Sequence, residues 1–586
     1  MRALALVGVF VVAKLVILAG RPIQLSGWTP IAYLWQDLLV GLTFALLDRI
    51  VKRAWFGWTV YGVAVAYVTI NVGVERVLSS PLTWPMLGAA GGALSDSIKR
   101  HATPANFALM SIVVAAGLAF PLLLRRVRMK SRSALIIPAL LLVPIGPLAS
   151  SRVETIGLDR NPIMVLATSA LPRIWWRSAD GQADEDWRVS PVFVGGGDRF
   201  GEELSRWRGS TAGRNVVLIL LESAGAEYLQ PYGAIRDPMP NLSELARGAI
   251  VFDSAYAVYP ESIKELFSVL CSRYPAMDTA SESYSWITTP SLAAVLSGAG
   301  YRTALFHSGR FMYLGMYDVV ANRGYEVLED AGAIGGHHES SFGVDEPSTV
   351  NRALAWIDSL APGERFFLTY LPVAGHHPYD TPEPGPFPEQ SDSDRYQNAL
   401  HYADAAFGSL IEGLRERGLY DRTLFVIFGD HGQAFGQHEG NYGHSLFLYD
   451  ENIHVPYLIA APGLINEQVR VTRTISLIDT APTILDLVGL PSPAGYQGKT
   501  ALEAEPRMAL FFTDYSLSLM GLRDGCWKYI YEMDTGRSKL FDLCEDGSEL
   551  KDLSTFYPER VAAYRARLKR WSSAQKALIV NRWSGP

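Results

Sequence analysis

The sequence predicts an α/β protein with a mostly parallel sheet flanked by helices, a small C-terminal antiparallel subdomain and, before these, an all-α transmembrane region of five helices. Three observations lead to this fold class. Residues 1–150 break into apolar runs of bilayer length, short apolar runs alternate with helical patterns from residue 211, and shorter strand patterns with a final helix follow residue 505. Strands that alternate with helices are typical of a parallel sheet.

The N-terminal apolar runs have the length of membrane spans. A hydrocarbon core of about 30 Å needs about 20 apolar residues, and the predicted spans are residues 3–20, 28–47, 54–74, 105–124 and 134–150. Lys14 and Asp37 interrupt the first two, and we expect them either to pair between helices or to contact a lipid head group. The segment 80–95 is broken by Pro and Gly and is predicted to lie at one membrane surface. The first span alone resembles a cleaved signal peptide, but four further spans favour an anchor.

Charge is distributed unevenly along the chain. Residues 1–150 contain 14 Lys and Arg against four acidic residues, although the whole chain has a net charge of −7. The acidic remainder excludes a nucleic-acid partner, because neutralising phosphates needs a basic excess. Nine of the basic residues lie in one set of loops between the spans and four in the opposite set. The positive-inside rule therefore predicts a multi-pass protein of the cell (inner or cytoplasmic) membrane, with everything after residue 150 extracytoplasmic or periplasmic.

Composition divides the chain into four predicted segments. They are a transmembrane region at 1–150, a juxtamembrane linker at 151–210, an α/β domain at 211–505 and a C-terminal subdomain at 506–586. In the linker, Trp175 and Trp176 beside basic residues are typical of a membrane–water interface. Strands are predicted at 215–221, 302–306, 366–371 and 423–428, and helices at 240–247, 289–298, 348–360, 396–417 and 558–575.

Polar side chains follow two of the predicted strands. Glu222 comes directly after the strand 215–221, and Asp430 and His431 come after the strand 423–428, within the region that holds ten of the 11 histidines. Ligands of open α/β sheets bind at the carboxyl ends of the strands. Carboxylate and imidazole ligands without a thiolate suit manganese, magnesium or zinc. The alternative is that Asp430 caps a helix and that His431 packs in the core.

Ser262 opens a run with apolar residues at helical spacing. A nucleophile at a helix N-terminus benefits from the positive end of the helix dipole, which favours an approaching anion. The same residue also forms, with Glu265, the pattern of a capping box. Local sequence alone leaves both roles open.

The three cysteines suit an exported domain. Cys526 and Cys544 lie in two predicted strands joined by a turn near residues 534–536, so a cross-strand bridge is expected there. Cys271 lies on the apolar side of the helix that begins at Ser262 and is expected to be a buried thiol.

Several motifs occur in a characteristic order between about residues 211 and 556. They are Asn215 to Ser223, Pro240-Asn241-Leu242, Ser262 to Pro275, Gly300 to Thr303, His376 to Tyr379, Gly429 to Gly432, His444, Val455-Pro456, Asp479 to Thr483, and Trp527 to Tyr529 before Leu540 to Leu543. Together they resemble a sulfatase-type domain of the alkaline phosphatase superfamily. The resemblance implies an alkaline-phosphatase-like fold for the α/β domain.

The chain departs from the sulfatase pattern at the nucleophile. Sulfatases carry a Cys/Ser-x-Pro-x-Arg motif whose first residue is oxidised to formylglycine, whereas Lys264 and Leu266 occupy the Pro and Arg positions here. An unmodified serine hydroxyl is therefore expected. With a single Glu222 after the first strand and five predicted spans, the chain is similar to the lipoteichoic acid synthase and phosphoglycerol transferase branch.

This resemblance implies the residues of an active site. The implied metal ligands are Glu222, Ser262, Asp430 and His431, and the implied catalytic residues are Ser262, His376 and His444. A His-x-Pro motif points to His376, although the adjacent His377 remains an alternative. The implied cofactor is a divalent metal ion: manganese, magnesium or zinc.

The implied function is that of a membrane-anchored, metal-dependent, sulfatase-like enzyme. Its serine would transfer a phosphoryl-linked group, of the phosphoglycerol type, from a lipid donor to an extracytoplasmic glycan or lipid acceptor. The alternative is a phosphodiesterase or sulfuric ester hydrolase of the same superfamily, and a third hypothesis is a binding module without activity. The expected partners are the membrane bilayer, a lipid or phosphodiester substrate and a glycan or lipid acceptor.

Overall fold

A computed structural model describes residues 1–89, 95–126, 133–171, 186–192, 203–339 and 342–580. The first eight helices belong to the N-terminal region. They are α1 (Arg2–Leu18), α2 (Thr29–Val51), α3 (Ala54–Leu78), α4 (Trp84–Ala89), α5 (Ser95–His101), α6 (Pro104–Leu123), α7 (Ser133–Ser150) and α8 (Pro162–Ser169). The predicted interfacial residues Trp175 and Trp176 lie outside the described residues.

Three of the N-terminal helices, α2, α3 and α6, are long and apolar enough to cross a membrane. The prediction of five spans is therefore more than the structure shows. The other two predicted spans are helical, but α1 has 17 residues and α7 has 18. At 1.5 Å per residue they reach about 25 and 27 Å, which is less than a hydrocarbon core of about 30 Å.

The charged side chains inside this region interact with one another and with the backbone. Lys14 Nζ lies 3.8 Å from Asp37 Oδ2, and both side chains are buried. The same ammonium donates hydrogen bonds of 3.0 Å to the carbonyl oxygens of Leu158 and Arg160. Of the two expected roles, pairing between helices is the one the structure shows.

The α/β region is built on a nine-stranded sheet. Its strands are β1 (Asn215–Leu221), β2 (Ala249–Tyr256), β3 (Tyr301–His307), β4 (Val327–Glu329), β5 (Arg365–Leu371), β6 (Thr423–Gly429), β9 (His454–Val455), β10 (Tyr457–Ala460) and β11 (Val469–Ser476). The order is β11-β2-β10-β6-β1-β5-β3-β4, with β9 paired to β2. All neighbours are parallel except the pairs made by β9 and β10. The prediction of a mostly parallel sheet is confirmed.

Helices cover both faces of this sheet. They are α9 (Pro240–Ala246), α10 (Ser262–Cys271), α11 (Leu292–Gly298), α12 (Met316–Val320), α13 (Ala331–Ile334), α14 (Glu346–Asp358), α15 (Asp392–Glu416), α16 (Asp450–Ile453) and α17 (Thr480–Leu487). All seven residues of β1 are buried; Val216 and Leu218 pack into one core, and Val217 and Ile219 into the other. Such continuous apolar strands are typical of a sheet with both faces covered.

The C-terminal part is an antiparallel meander of β12 (Ala509–Thr513), β13 (Leu519–Asp524), β14 (Trp527–Glu532) and β15 (Ser538–Asp542). Helix α18 (Pro558–Val580) packs on it through buried Tyr564, Leu568 and Trp571. The small antiparallel subdomain is therefore confirmed. A short hairpin of β7 (Ala434–Phe435) and β8 (Tyr442–Gly443) precedes His444. The exact boundaries of the four segments stay a prediction.

The expected cysteine arrangement is present. Cys526 and Cys544 form a disulfide with a Cα–Cα distance of 5.3 Å, and Cys271 is a buried free thiol. The bridge ties the start of β14 to the residues that follow β15, and it is consistent with an oxidising compartment.

The disulfide is expected to stabilise the C-terminal subdomain. It closes a loop with a sequence separation of 18 residues, which corresponds to about 3 kcal/mol in the chain-entropy model. The double variant Cys526→Ser/Cys544→Ser should therefore unfold at a lower denaturant concentration, as measured by tryptophan fluorescence in detergent. Reduction of the unchanged protein is the matched treatment, and equal midpoints with and without the bridge would contradict the prediction.

Candidate active site

Three of the predicted site residues meet at the carboxyl ends of two neighbouring strands. Leu221 of β1 pairs with Gly429 of β6 in parallel register, so Glu222 and Asp430 leave the sheet side by side. Ligand atoms of Glu222, Asp430 and His431 lie within 4.8 Å of one another, and all three residues are buried. We call these three residues the acidic cluster.

Ser262 joins the acidic cluster from the first turn of α10. Its Oγ donates a 2.8 Å hydrogen bond to Glu222 Oε2 and lies 3.3 Å from His431 Nε2. The helix is preceded by Glu261 at the N-cap, and no side-chain cap is formed there. Glu265 accepts instead from the backbone N–H groups of Val258 and Tyr259, at 2.7 and 2.8 Å. The capping-box alternative is therefore not formed, and the serine hydroxyl faces the cluster.

Hydrogen bonds orient the members of the acidic cluster. Asp430 Oδ1 accepts from the backbone N–H groups of Ser223 and His431. The carbonyl oxygen of Gly432 accepts from His431 Nδ1 at 3.0 Å, which leaves Nε2 facing the two carboxylates. Fixing one imidazole nitrogen in this way is how proteins present the other nitrogen to a metal ion.

Within the part of the chain that the structure describes, neither Lys nor Arg pairs with the acidic cluster. Burial raises the pKa of Asp430, and the facing Glu222 carboxylate raises it further. Burial acts to lower the pKa of His431, but the carboxylates of Asp430 and Glu222 outweigh it and raise that pKa. Among the ion pairs of the described residues, both carboxylates have only His431 as a partner. Two buried carboxylates and one imidazole are a donor set that suits a divalent cation.

Both predicted catalytic histidines lie beside this cluster. The His444 ring centroid is 4.3 Å from that of His431 and 5.9 Å from that of His376. Burial lowers the pKa of His444 well below its usual value, and His431 and His376 lower it further. His444 Nδ1 lies 3.2 Å from Gln433 Oε1, which accepts its hydrogen bond. This hydrogen bond places the proton of a neutral His444 ring on Nδ1, which leaves Nε2 as the acceptor nitrogen.

Of the two adjacent histidines, His376 is the one that lies beside His444. The carbonyl oxygen of His377 accepts from His376 Nδ1 at 2.7 Å. The preceding residue, Gly375, lets the backbone of this turn lie close to the backbone of Glu222, because a Cβ at this position would lie 2.1 Å from the Glu222 carbonyl oxygen. The ring of His377 stacks instead on that of His101, outside the cluster.

Sequence reasoning missed three residues that support the histidines. Phe342 packs on the His376 ring with centroids 4.1 Å apart, and Gln433 orients His444. Glu346 accepts hydrogen bonds from Ser308, Tyr370, Val373 and Ala374 and thereby holds the turn before His376. Only Gln433 had a sequence signal, since it directly follows the Gly-Asp-His-Gly run. Phe342 and Glu346 lie in or just after a long loop whose conformation cannot be predicted from a local sequence pattern.

Three further polar residues of the α/β region, Asp404, Tyr402 and His307, have structural roles. The carboxylate of Asp404 accepts from the backbone N–H groups of Asn241 and Leu242 at the start of α9. Tyr402 accepts from the backbone of Glu346, and the carbonyl oxygen of Leu371 accepts from His307 Nδ1.

The residue that replaces the sulfatase proline is also part of the packed structure. Lys264 Nζ lies 2.8 Å from Asp514 Oδ1, and both side chains are buried. Tyr259 donates to the same oxygen at 2.7 Å. This buried pair fills the helix face next to Ser262.

Known proteins share this architecture. Residues 214–490 match the sulfatase family model, and residues 438–570 match the C-terminal model of N-sulphoglucosamine sulphohydrolase. Arylsulfatase K of Bos taurus is 31% identical over 196 residues, covering 29% of this chain and 36% of that protein. A protein in the alkaline phosphatase superfamily from Vibrio parahaemolyticus superimposes with a TM-score of 0.55 at 19% identity, covering 68% of this chain and 96% of that one. The lipoteichoic acid synthase LtaP from Listeria monocytogenes gives 0.49 at 20% identity, covering 64% and 94%.

The α/β region has an alkaline-phosphatase-like fold, as predicted. Residues 214–490 match the sulfatase family model, which confirms the predicted resemblance to a sulfatase-type domain. Proteins of this group generally depend on a divalent metal ion. The alignment spans about a third of the bovine relative, and the nearer kinship to the lipoteichoic acid synthase branch stays a prediction.

Metal binding by the acidic cluster is expected to stabilise the protein. Adding Mn²⁺, Mg²⁺ or Zn²⁺ to metal-stripped protein should raise its melting temperature. At a metal concentration of 100 times the Kd, the free energy of unfolding should increase by about 2.7 kcal/mol. The variant Asp430→Asn should lose this shift and the bound metal, as measured by differential scanning fluorimetry and elemental analysis. Asp404→Asn, a buried carboxylate outside the cluster, should keep it. A metal-dependent shift that survives in Asp430→Asn would contradict the assignment.

Glu346 is expected to make stability depend on pH. Burial raises its pKa to about 7, even though hydrogen bonds from Tyr370 and Ser308 lower it. The folded state therefore holds this proton more tightly than the unfolded state, and stability is lost as the pH rises from about 4.5 through 7. Since a shift of one unit corresponds to 1.36 kcal/mol, the loss is about 3 kcal/mol.

The isosteric variant Glu346→Gln should lack this loss. The melting temperature of the unchanged protein should fall relative to that of Glu346→Gln between pH 5 and pH 8. Glu412→Gln, an exposed partner of Arg415, is the matched control and should follow the unchanged protein. Parallel curves for the unchanged protein and Glu346→Gln would refute the role of burial.

Proposed function

We propose that this protein is a membrane-anchored, metal-dependent hydrolase of anionic esters, either sulfuric esters or phosphodiesters, with Ser262 as its nucleophile. One observation carries the proposal. The Ser262 hydroxyl does not cap α10. It donates a 2.8 Å hydrogen bond to Glu222, within a buried cluster that suits a divalent cation. The matched relatives named arylsulfatase K support ester hydrolysis.

The nucleophile is oriented by this chain's own residues. Glu222 Oε2 accepts the hydrogen bond of Ser262 and can take its proton when Oγ bonds to the sulfur or phosphorus atom of the ester. A divalent cation held by Glu222, Asp430 and His431 would lower the pKa of a nearby hydroxyl and neutralise charge on the ester. The N-terminus of α10 adds a favourable field for an anion.

The two histidines serve the leaving group and the water. As the bond from sulfur or phosphorus to the ester oxygen breaks, His376 in its protonated form can deliver a proton from Nε2 to that oxygen, since its Nδ1 is held by His377. Hydrolysis of the resulting serine ester needs water to lose a proton. With Nδ1 donating to Gln433 Oε1, the Nε2 atom of a neutral His444 ring can accept that proton.

The serine is proposed to act unmodified. The Pro and Arg positions of the formylglycine motif hold Lys264 and Leu266, and both side chains are buried in the packing around α10. A serine hydroxyl forms a covalent ester with the substrate, which water or another alcohol can then cleave.

A second candidate is transfer of a phosphoryl-linked group, of the phosphoglycerol type, from a lipid donor to an extracytoplasmic glycan or lipid acceptor. It is favoured by the combination of an unmodified serine with three helices that can cross a membrane. The disulfide supports placing this site on the extracytoplasmic side of the cell membrane. The two candidates share the serine ester and differ in the alcohol or water that resolves it.

Replacing Ser262 by Ala should abolish turnover, by a factor of about 10³ or more. The measurement compares hydrolysis of p-nitrophenyl sulfate and bis(p-nitrophenyl) phosphate by the full-length protein with bound Mn²⁺. Ser268→Ala is the matched control, because Ser268 lies on the same helix and donates to the backbone of Lys264. It should keep the activity of the unchanged protein.

Whether the protein hydrolyses the sulfate or the phosphodiester faster distinguishes sulfatase from phosphodiesterase activity. Mass spectrometry of the trapped enzyme should find the covalent adduct on Ser262. Turnover that rises when glycerol or a glycan acceptor is added would favour transfer over hydrolysis. An active Ser262→Ala variant, or an adduct on another residue, would overturn the proposed nucleophile.

A further inference from the structure

Helix α5 of the N-terminal region contacts the loop that carries His376. The rings of His101 and His377 are stacked, with centroids 5.4 Å apart and an angle of 7° between their planes. On the same helix, the Arg100 guanidinium lies 3.8 Å from Asp380 and 3.8 Å from Asp392. The two rings are nearly parallel, whereas the ion pairs are long and partly exposed. The aromatic contact is therefore the specific one.

The residue held by this contact is the one that orients His376. The backbone carbonyl oxygen of His377 accepts from His376 Nδ1 at 2.7 Å, so the backbone position of His377 contributes to the direction in which His376 Nε2 points. On its other side, the His376 ring packs against Phe342. A shift of His377 would therefore move an imidazole that has to reach the reacting ester within a fraction of an ångström.

The N-terminal region also approaches the loop that carries His444. Arg21 donates a 2.9 Å hydrogen bond to Ser79 at the end of α3. Gly440, between β7 and β8, approaches that hydroxyl so closely that a Cβ on it would lie 2.9 Å from Ser79 Oγ. His444 follows β8 directly. Both histidine-bearing loops are thus in contact with residues that precede residue 102.

We propose that the membrane region forms part of the active-site scaffold and that His101 is a positioning residue for His376. This inference rests on the proposed function, because His376 must act in catalysis for its position to matter. His101 does not touch the reacting atoms; it acts through His377. The membrane helices then determine the geometry of the catalytic loop as well as anchoring the domain.

The stacking contact makes a specific prediction for substitutions of His101. In the full-length protein with bound Mn²⁺, His101→Ala should lower kcat about tenfold with little change in KM, because a misplaced catalytic group affects the chemical step. His101→Phe keeps a flat ring in the stack and should restore kcat. Ile98→Ala, at an exposed position on the same helix, is the matched control and should behave like the unchanged protein.

A second measurement tests the contact without relying on turnover. Carbethoxylation of His377 by diethyl pyrocarbonate, followed by peptide mass spectrometry, should be faster in His101→Ala and unchanged in His101→Phe. Melting temperatures of the three variants should agree with that of the unchanged protein.

The outcomes separate this inference from the proposed function. Turnover that is unaffected by Ser262→Ala defeats the proposed function. Turnover that needs Ser262 but is unchanged in His101→Ala overturns only the positioning role. Equal losses of kcat and melting temperature in His101→Ala and His101→Phe, or an unchanged carbethoxylation rate of His377 in His101→Ala, also overturn it.

Discussion

The register between two parallel strands, β1 and β6, is the constraint on which the candidate site depends. Because Leu221 lies opposite Gly429, the residues that follow, Glu222 and Asp430, leave the sheet side by side. A slip of one residue would turn one of these carboxylates towards the opposite face of the sheet. Both strands are buried along their whole length, so the cores on the two faces hold the register.

The same register brings two carboxylates together in a buried place, which is electrostatically unfavourable without compensation. His431, the backbone N–H groups and the Ser262 hydroxyl offset part of that cost, and a divalent cation would offset the rest. Ser262 is available for this because Glu265 binds the turn before α10 through backbone N–H groups. A pattern that resembles a capping box thus serves to place a hydroxyl beside the carboxylates.

His376 and His444, unlike the acidic cluster, lie on loops that also contact the N-terminal region. His376 lies on a turn fixed by Glu346 from within the α/β region, and this turn also contacts α5 of the membrane region through His377. His444 follows a hairpin that contacts the end of α3. The acidic cluster therefore depends on the sheet, whereas the loops that carry His376 and His444 also contact the N-terminal region.

Four of the nine strands of the sheet are predictable from the sequence to within one residue of their observed bounds, because buried apolar runs bounded by polar residues are local signals. The sequence also identified the carboxylates and histidines at the strand ends. Apolar composition overestimated the number of spans, since two of the apolar runs form helices that are shorter than a hydrocarbon core of about 30 Å. Only the tertiary structure shows that Ser262 does not cap its helix and instead contacts Glu222. The tertiary structure also shows that His376, and not His377, lies beside His444, and that His101 stacks on His377. Local patterns record which residues are neighbours along the chain, whereas packing alone sets distances between side chains that are far apart in sequence.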